Sequence, residues 1–402
     1  MFEKGVCRMK ISTLLFIFLF HFSAYGQVLT GLDVMENGGF AELENKKVAV
    51  LTNGTAVNKD GVLILDLLKK QKVNVRMVFS PEHGFKIDKD EAVEDGKIGE
   101  IPLISLYGNR RKPDPALLKD IDVVIYDIQD AGARYYTYIS TLAYMMEAVK
   151  KAGKGLIVID RPVIVGGETV SGFVPPKNLA GFFTSIYPIA TRYGMTVGEI
   201  ATLFNDHFGI KADMTVIKMK NYSRKMLFNE TGLPWVSPSP NLTSVDTALL
   251  YSELGWLETT NLSMGRGTGS PFQLIGAPFI DEKEVAKHLK KLKFKGLSIE
   301  PVRFTPQAKH HKHFGKECGG IKIKIDDRSH FEAFKLAVEF LKILVKLYPD
   351  KLQFSKEFGL MSGSAELEKM IKSGTSFEEI EKKAKDSRKE FEKIRKKYLH
   401  YK

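Results

Sequence analysis

The chain has 402 residues, 44% hydrophobic and 27% charged, with 60 basic against 48 acidic side chains, a formal charge of +12 and two cysteines. That length gives ample material for an apolar core, as about two domains. The basic balance suits either an acidic polymer or a merely lysine-solvated surface; with no nucleic-acid motif in the chain, acidic cell-wall material is the expected partner and nucleic acid is not.

Lys4, Arg8 and Lys10 precede an apolar run from Ile11 to Phe22 and the small-residue stretch Ser23-Ala24-Tyr25-Gly26. This order predicts an export leader over residues 1–26, cleaved after Gly26, too short in its apolar part to span a bilayer. Loss of the leader lowers the charge to +10, because three bases leave with Glu3. Cys7 leaves too, so Cys318 stands alone and an internal disulfide is excluded. No later stretch reads as a membrane span, and the expected location is periplasmic or secreted.

From Lys46 to Asp160, β-branched runs alternate with helical patterns, the signature of a parallel α/β sheet. Strands are predicted at Lys47 to Leu51, Asn74 to Phe79, Leu103 to Leu106, Asp122 to Tyr126 and Leu156 to Ile159. Leu63, Leu67 and Leu68, then Leu142, Met145, Met146 and Val149, fall at helical spacing as core stripes. A further helix starts near Thr196, with Val197, Ile200, Ala201 and Phe204 inward. Loops rich in Gly and Pro follow Pro162. The later, lysine-rich part predicts a strand at Ile321 to Ile325 and helices over Phe331 to Leu347 and Phe377 to Tyr398. The reading is an α/β domain over 27–255 and a smaller α+β domain over 256–402.

Ligands of open parallel sheets bind beyond the carboxyl ends of the strands. Polar residues gather there: Thr52-Asn53-Gly54, Ser80-Pro81-Glu82-His83-Gly84, Tyr107-Gly108, Asp127 to Arg134, and Asp160-Arg161-Pro162. Glu82 stands behind a proline and before His83-Gly84. A partly desolvated carboxyl at that point can hold a proton for a leaving group, or it can simply cap the turn. Asp127 reads as a structural acceptor; Asp130 and Arg134 lie further out, where a sugar can meet them, followed by Tyr135, Tyr136 and Tyr138. Arg161 and Arg266 suit either an anionic substituent or an internal ion pair. The glycines around Arg266 do not have phosphate-loop spacing. His310, His311, His313, Glu317 and Cys318 lack the paired spacings of a zinc site, so no metal is expected. No Gly-x-Ser-x-Gly elbow is present.

These blocks, together with Tyr193-Gly194-Met195-Thr196-Val197-Gly198-Glu199, Pro238-Ser239-Pro240-Asn241, Thr260-Asn261-Leu262-Ser263, Gly265-Arg266-Gly267-Thr268 and Gly276-Ala277-Pro278, resemble the exo-β-N-acetylmuramidase family of the NamZ type over nearly the whole mature chain. The resemblance implies a Rossmann-like domain, a smaller C-terminal domain and a cleft between them. It implies removal of N-acetylmuramic acid from the non-reducing end of peptidoglycan fragments, such as muropeptides or MurNAc-GlcNAc sugars, without a cofactor. Glu82 becomes the expected general acid, with Asp130, Glu168 or His83 beside it. Asn53, Asp127, Arg134, Tyr136, Arg161, Asn261 and Arg266 become the expected sugar contacts. Three positions depart from the family pattern. Val163-Ile164 follows Asp160-Arg161-Pro162 where Asn-Pro is usual, Ser171 stands where a glutamate is common, with Glu168 the nearest carboxylate to replace it, and Tyr193 replaces a histidine. A muropeptide binder without turnover, or a hydrolase of another acidic amino sugar, is the alternative.

Overall fold

Lys47–Thr52 (β1), buried from Val48 onward, and Val123–Asp127 (β5), buried throughout, are the strands that a sheet covered on both faces demands. They form its middle in a computed structural model that describes residues 26–402 except 89, 91 and 92. The expected leader lies outside the described residues but for Gly26. Asn74–Ser80 (β2), Gly96–Ile98 (β3), Ile101–Ser105 (β4), Gly155–Ile159 (β6) and Met214–Ile217 (β7) complete seven strands in the order β3-β4-β2-β1-β5-β6-β7. All neighbours are parallel except β3 against β4. The five predicted strands are present within one or two residues. The two outer ones, β3 and β7, were not predicted: three and four residues carry too little alternation to read.

Gly31–Asn37 (α1), Ile64–Lys70 (α2), Tyr138–Ala152 (α3) and Val197–Asp206 (α4) flank this sheet. Helix α3 buries eleven of its fifteen residues and ends at Gly153 in the left-handed region, φ 64°. Helix α4 starts where the sequence predicts, because Thr196 and Glu199 form a capping box. Val245–Leu254 (α5) leads to the second lobe. It is buried on every side from Thr247 to Leu254, so it has no polar face and no helical period to detect.

The second lobe has an antiparallel sheet of Leu274–Ala277 (β8), Leu297–Phe304 (β9) and Cys318–Ile325 (β10), in the order β8-β10-β9. Only the central strand, β10, was predicted; Pro301 hides β9, and its place on the sheet edge is what makes that proline tolerable. Glu282–Lys290 (α6), Ala333–Leu347 (α7), Phe358–Ser362 (α8), Leu367–Lys372 (α9) and Phe377–Arg395 (α10) pack around it. One apolar core runs from Leu51, Phe79 and Tyr126 through Leu254 and Trp256 to Phe340, Phe358 and Phe391, so the lobes share an interior. Among the described residues no helix is long and apolar enough to cross a membrane.

The last residues return to the first lobe. Arg395 donates to the carbonyls of Tyr193, Gly194 and Gly167. His400 N donates to Glu199, Tyr401 Oη to Asp160 at 2.6 Å, and the Lys402 carbonyl accepts from Arg224 N.

Candidate active site

The chain reverses direction across the sheet between β1 and β5, where open α/β folds usually hold a nucleotide. Here protein fills that crevice. Arg161 forms a two-pronged ion pair with Asp127 and donates to the Val57 carbonyl, all three groups buried. Thr55 Oγ1 accepts from Gln129 N, and Phe228 and Pro234 cover the remainder, leaving about 10 Å³. Arg161 and Asp127 are therefore a structural pair rather than sugar contacts, because two buried charges in this position satisfy one another.

The open cavity lies to one side, over the ends of β2, β4 and β5. It measures about 350 Å³ and takes its wall from both lobes. Pro81 accepts from Gly84 N in a turn in which His83 and Gly84 both have φ +69°, and a side chain on Gly84 would meet Val93 Cγ2 at 2.8 Å. This backbone, unusual for a histidine, turns Glu82 and His83 into the cavity. The Glu82 carboxylate accepts from Thr137 Oγ1 and from the Tyr107 phenol. Burial, then the charge of Glu82, raise the pKa of that phenol, so it stays a donor. Behind them Tyr138 Oη donates to Pro238 O at 2.7 Å and accepts from Asn53 Nδ2 at 3.1 Å, with the Glu82 carbonyl at 3.3 Å. Asn53 is thus a buried brace for the Glu82 loop and does not reach the cavity. Tyr136 does line it, donating to Pro238 O at 2.5 Å.

Two further carboxylates line the cavity with Glu82, Glu258 and Asp90, and neither was predicted. Arg266 joins them, meeting Glu258 through Nε at 2.5 Å and Nη2 at 3.0 Å and Asp90 through Nη1 at 3.6 Å. Burial works against the Arg266 charge, but Glu258 and Asp90 more than offset it and raise its pKa. Burial also acts against the Asp90 charge. His311 at 3.2 Å, Arg266, Asn241 and His83 overcome it and hold that carboxyl at about 2. Glu258 sits in a short 3-10 turn, Gly255–Thr259, directly after α5. Nothing in its local sequence sets it apart, which is why only the fold reveals it.

The other expected residues lie elsewhere. Arg134 is fully buried and spends its guanidinium on the carbonyls of Thr184, Leu360 and Met361. It cannot bind a sugar, but it ties together three residues of the cavity wall. Asp130 is also buried off the cavity, accepting from Tyr193 Oη and Gly132 N, and burial pushes its carboxyl up to about 6 against those bonds. Glu168 lines a separate groove with Arg224 and Arg328. Asn261 braces the backbone at Lys351 and Gln353 and accepts from His313 on its carbonyl. Ser171 binds Glu253 at 2.5 Å, and Glu253 also meets Arg192. The departures at 163, 171 and 193 all lie off the cavity wall. Among the described residues no cluster of His, Cys, Asp and Glu is arranged for a metal ion.

Fold and cavity together define a two-lobed α/β protein with an acid-lined cleft between a Rossmann-like sheet and a smaller α+β lobe. Residues 48–246 match the N-terminal and residues 249–401 the C-terminal domain model of the exo-β-N-acetylmuramidase NamZ, and the chain belongs to that family. It is 40% identical over 383 residues to the peptidoglycan β-N-acetylmuramidase NamZ of Bacillus subtilis (strain 168), covering 93% of this chain and 92% of that one. Two crystal structures of DUF1343 family proteins from Bacteroides fragilis share the fold, with TM-scores of 0.85 and 0.77 at 31% and 30% identity. Each alignment covers 94% of this chain and 99% of the other.

Proposed function

We propose that this protein is an exo-acting β-N-acetylmuramidase that removes N-acetylmuramic acid from the non-reducing end of peptidoglycan fragments. The observation that carries the reading is Glu82, placed in a cleft of sugar-binding size by a family-specific loop and fixed by Thr137 and Tyr107. Glu82 protonates the glycosidic oxygen as the bond to the departing saccharide breaks, and water then bonds to the muramyl carbon and returns a proton to Glu82. Glu258, paired with Arg266, supports the positive charge that develops on the muramyl ring. Asp90 carries more partners than Glu258 and acts as the brace for Arg266 and His83. Phe182, 49% exposed at the cavity rim, offers a flat apolar surface to a sugar ring. We also place the reaction outside the cytoplasm, a reading that the leader pattern of the sequence supports.

The test is release of N-acetylmuramic acid from a MurNAc-GlcNAc disaccharide. Replacing Glu82 by Gln should lower kcat by roughly 10²- to 10⁴-fold with KM little changed, the usual range for a lost general acid. Replacing Glu258 by Gln should give a loss of similar size. Full activity in the Glu82 variant would remove the assignment; full activity in the Glu258 variant would remove only the second role.

A further inference from the structure

N-acetylmuramic acid differs from N-acetylglucosamine by a lactyl ether that ends in a carboxylate. A cleft selective for the former needs a cation that faces the cavity and is not already neutralised. The three arginines that the sequence singled out fail this requirement. Arg134 is consumed by three carbonyls, Arg161 by Asp127, and Arg266 by Glu258 and Asp90. A further anion at Arg266 would meet two carboxylates already in place.

Arg111 is the exception. It follows β4 in the run Arg110-Arg111-Lys112, whose three cations have different surroundings. Arg110 pairs with Asp95 and donates to the Ser105 carbonyl. Lys112 lies over the Tyr144 ring at 4.4 Å and 3.5 Å from Glu147. Arg111, between them, lines the cavity and is solvent-exposed, and among the described residues no carboxylate lies within ion-pair distance of it. Its guanidinium carbon sits 4.6 Å over the Phe183 ring. Phe183 in turn stacks on Tyr144, with centroids 6.0 Å apart and planes at 13°, and meets Tyr107 at 6.3 Å. Contact with a buried aromatic ring restrains the guanidinium without using its N–H donors, which stay available to a ligand. Phe183 thus joins Arg111 to Tyr107, whose phenol lies against Glu82, so cation and acid share one end of the cleft.

We infer that Arg111, held over the Phe183 ring, binds the lactyl carboxylate of the muramyl residue and gives the cleft its preference for that sugar. The inference rests on the muramidase reading and names the residue that reads the acid. A planar guanidinium accepts a carboxylate through two parallel N–H···O bonds, a geometry that lysine cannot reproduce.

The test uses the purified protein and three chromogenic β-glycosides: of N-acetylmuramic acid, of its lactyl methyl ester, and of N-acetylglucosamine. Arg111→Ala should lower kcat/KM on the free acid by about 10- to 100-fold, mostly through KM, as expected for a lost charge-assisted bond. On the ester and on the glucosaminide it should match the wild type. Arg111→Lys should fall between the two, and because the position is exposed both variants should keep the wild-type unfolding midpoint. Equal kcat/KM for wild type and Arg111→Ala on the free acid, or an equal loss on all three glycosides, overturns the inference while leaving the activity intact. A wild type that cleaves none of the three overturns the muramidase reading, and the inference with it.

Discussion

At the scale of single residues, Asp130 shows how burial can reassign a carboxylate. It has one oxygen bonded to Tyr193 and Gly132 and the other buried without a partner, and burial outweighs the two bonds. Its pKa lies near 6 in the fold against an ordinary 3.8. Because the folded value is the higher one, the stability associated with the protonated form is present below about pH 4 and is lost as pH rises to about 6. The Asp130→Asn variant should lack that decline, so the gap between variant and wild type should widen by roughly 3 kcal/mol across the interval. Urea unfolding at several pH values measures it; a parallel pair of curves would reject it. The sequence identified Glu82, His83, Tyr136 and Arg266 as candidates, and all four line the cavity. It gave Asp130, Arg134 and Arg161 a part in the site because they follow strand ends, a rule that locates an edge but does not distinguish a side chain pointing outward from one folded back into the core. Glu258 and Asp90 were illegible because tertiary packing brings them to the cleft from segments with no strand-end signature.

Among the elements, the interior strands and the amphipathic helices were readable because burial imposes a period on them. Helix α5, buried from Thr247 onward, and strand β9, interrupted by Pro301, were not. Helix α10 was readable from Phe377, Ile380, Ala384 and Phe391, yet its polar residues also join it to the other lobe. Arg388 donates to the Gly172 carbonyl, and Arg395 serves three more. Replacing Arg395 by Ala strands the Tyr193 carbonyl and leaves those of Gly194 and Gly167 to Arg224 alone. The variant should lose roughly 1–3 kcal/mol of unfolding free energy, read as a lower urea midpoint, while kcat on a muramyl glycoside stays within about twofold. A loss of activity without a loss of stability would contradict this assignment.

For the whole molecule, the continuous core argues that the two lobes unfold as one. Trp256, 1% exposed, lies where they meet, against Phe334 and Phe358. Its fluorescence should therefore change at the same urea concentration as the far-ultraviolet circular dichroism of the two sheets. Separate midpoints would mean that the lobes are independent.

The return of residues 395–402 to the first lobe bears on the order of assembly. Asp160 and Glu199 are buried in that lobe, and their partners Tyr401 and His400 come about 240 and 200 positions later. Contacts so distant along the chain close slowly, because the loop entropy is lost before the bonds form. A chain emerging from its amino terminus would thus hold Asp160 and Glu199 without these partners until its last turn appeared. The first lobe has a built-in delay, and pulse-labelled hydrogen exchange should show β6 amides gaining protection later in the Arg395→Ala chain than in the parent.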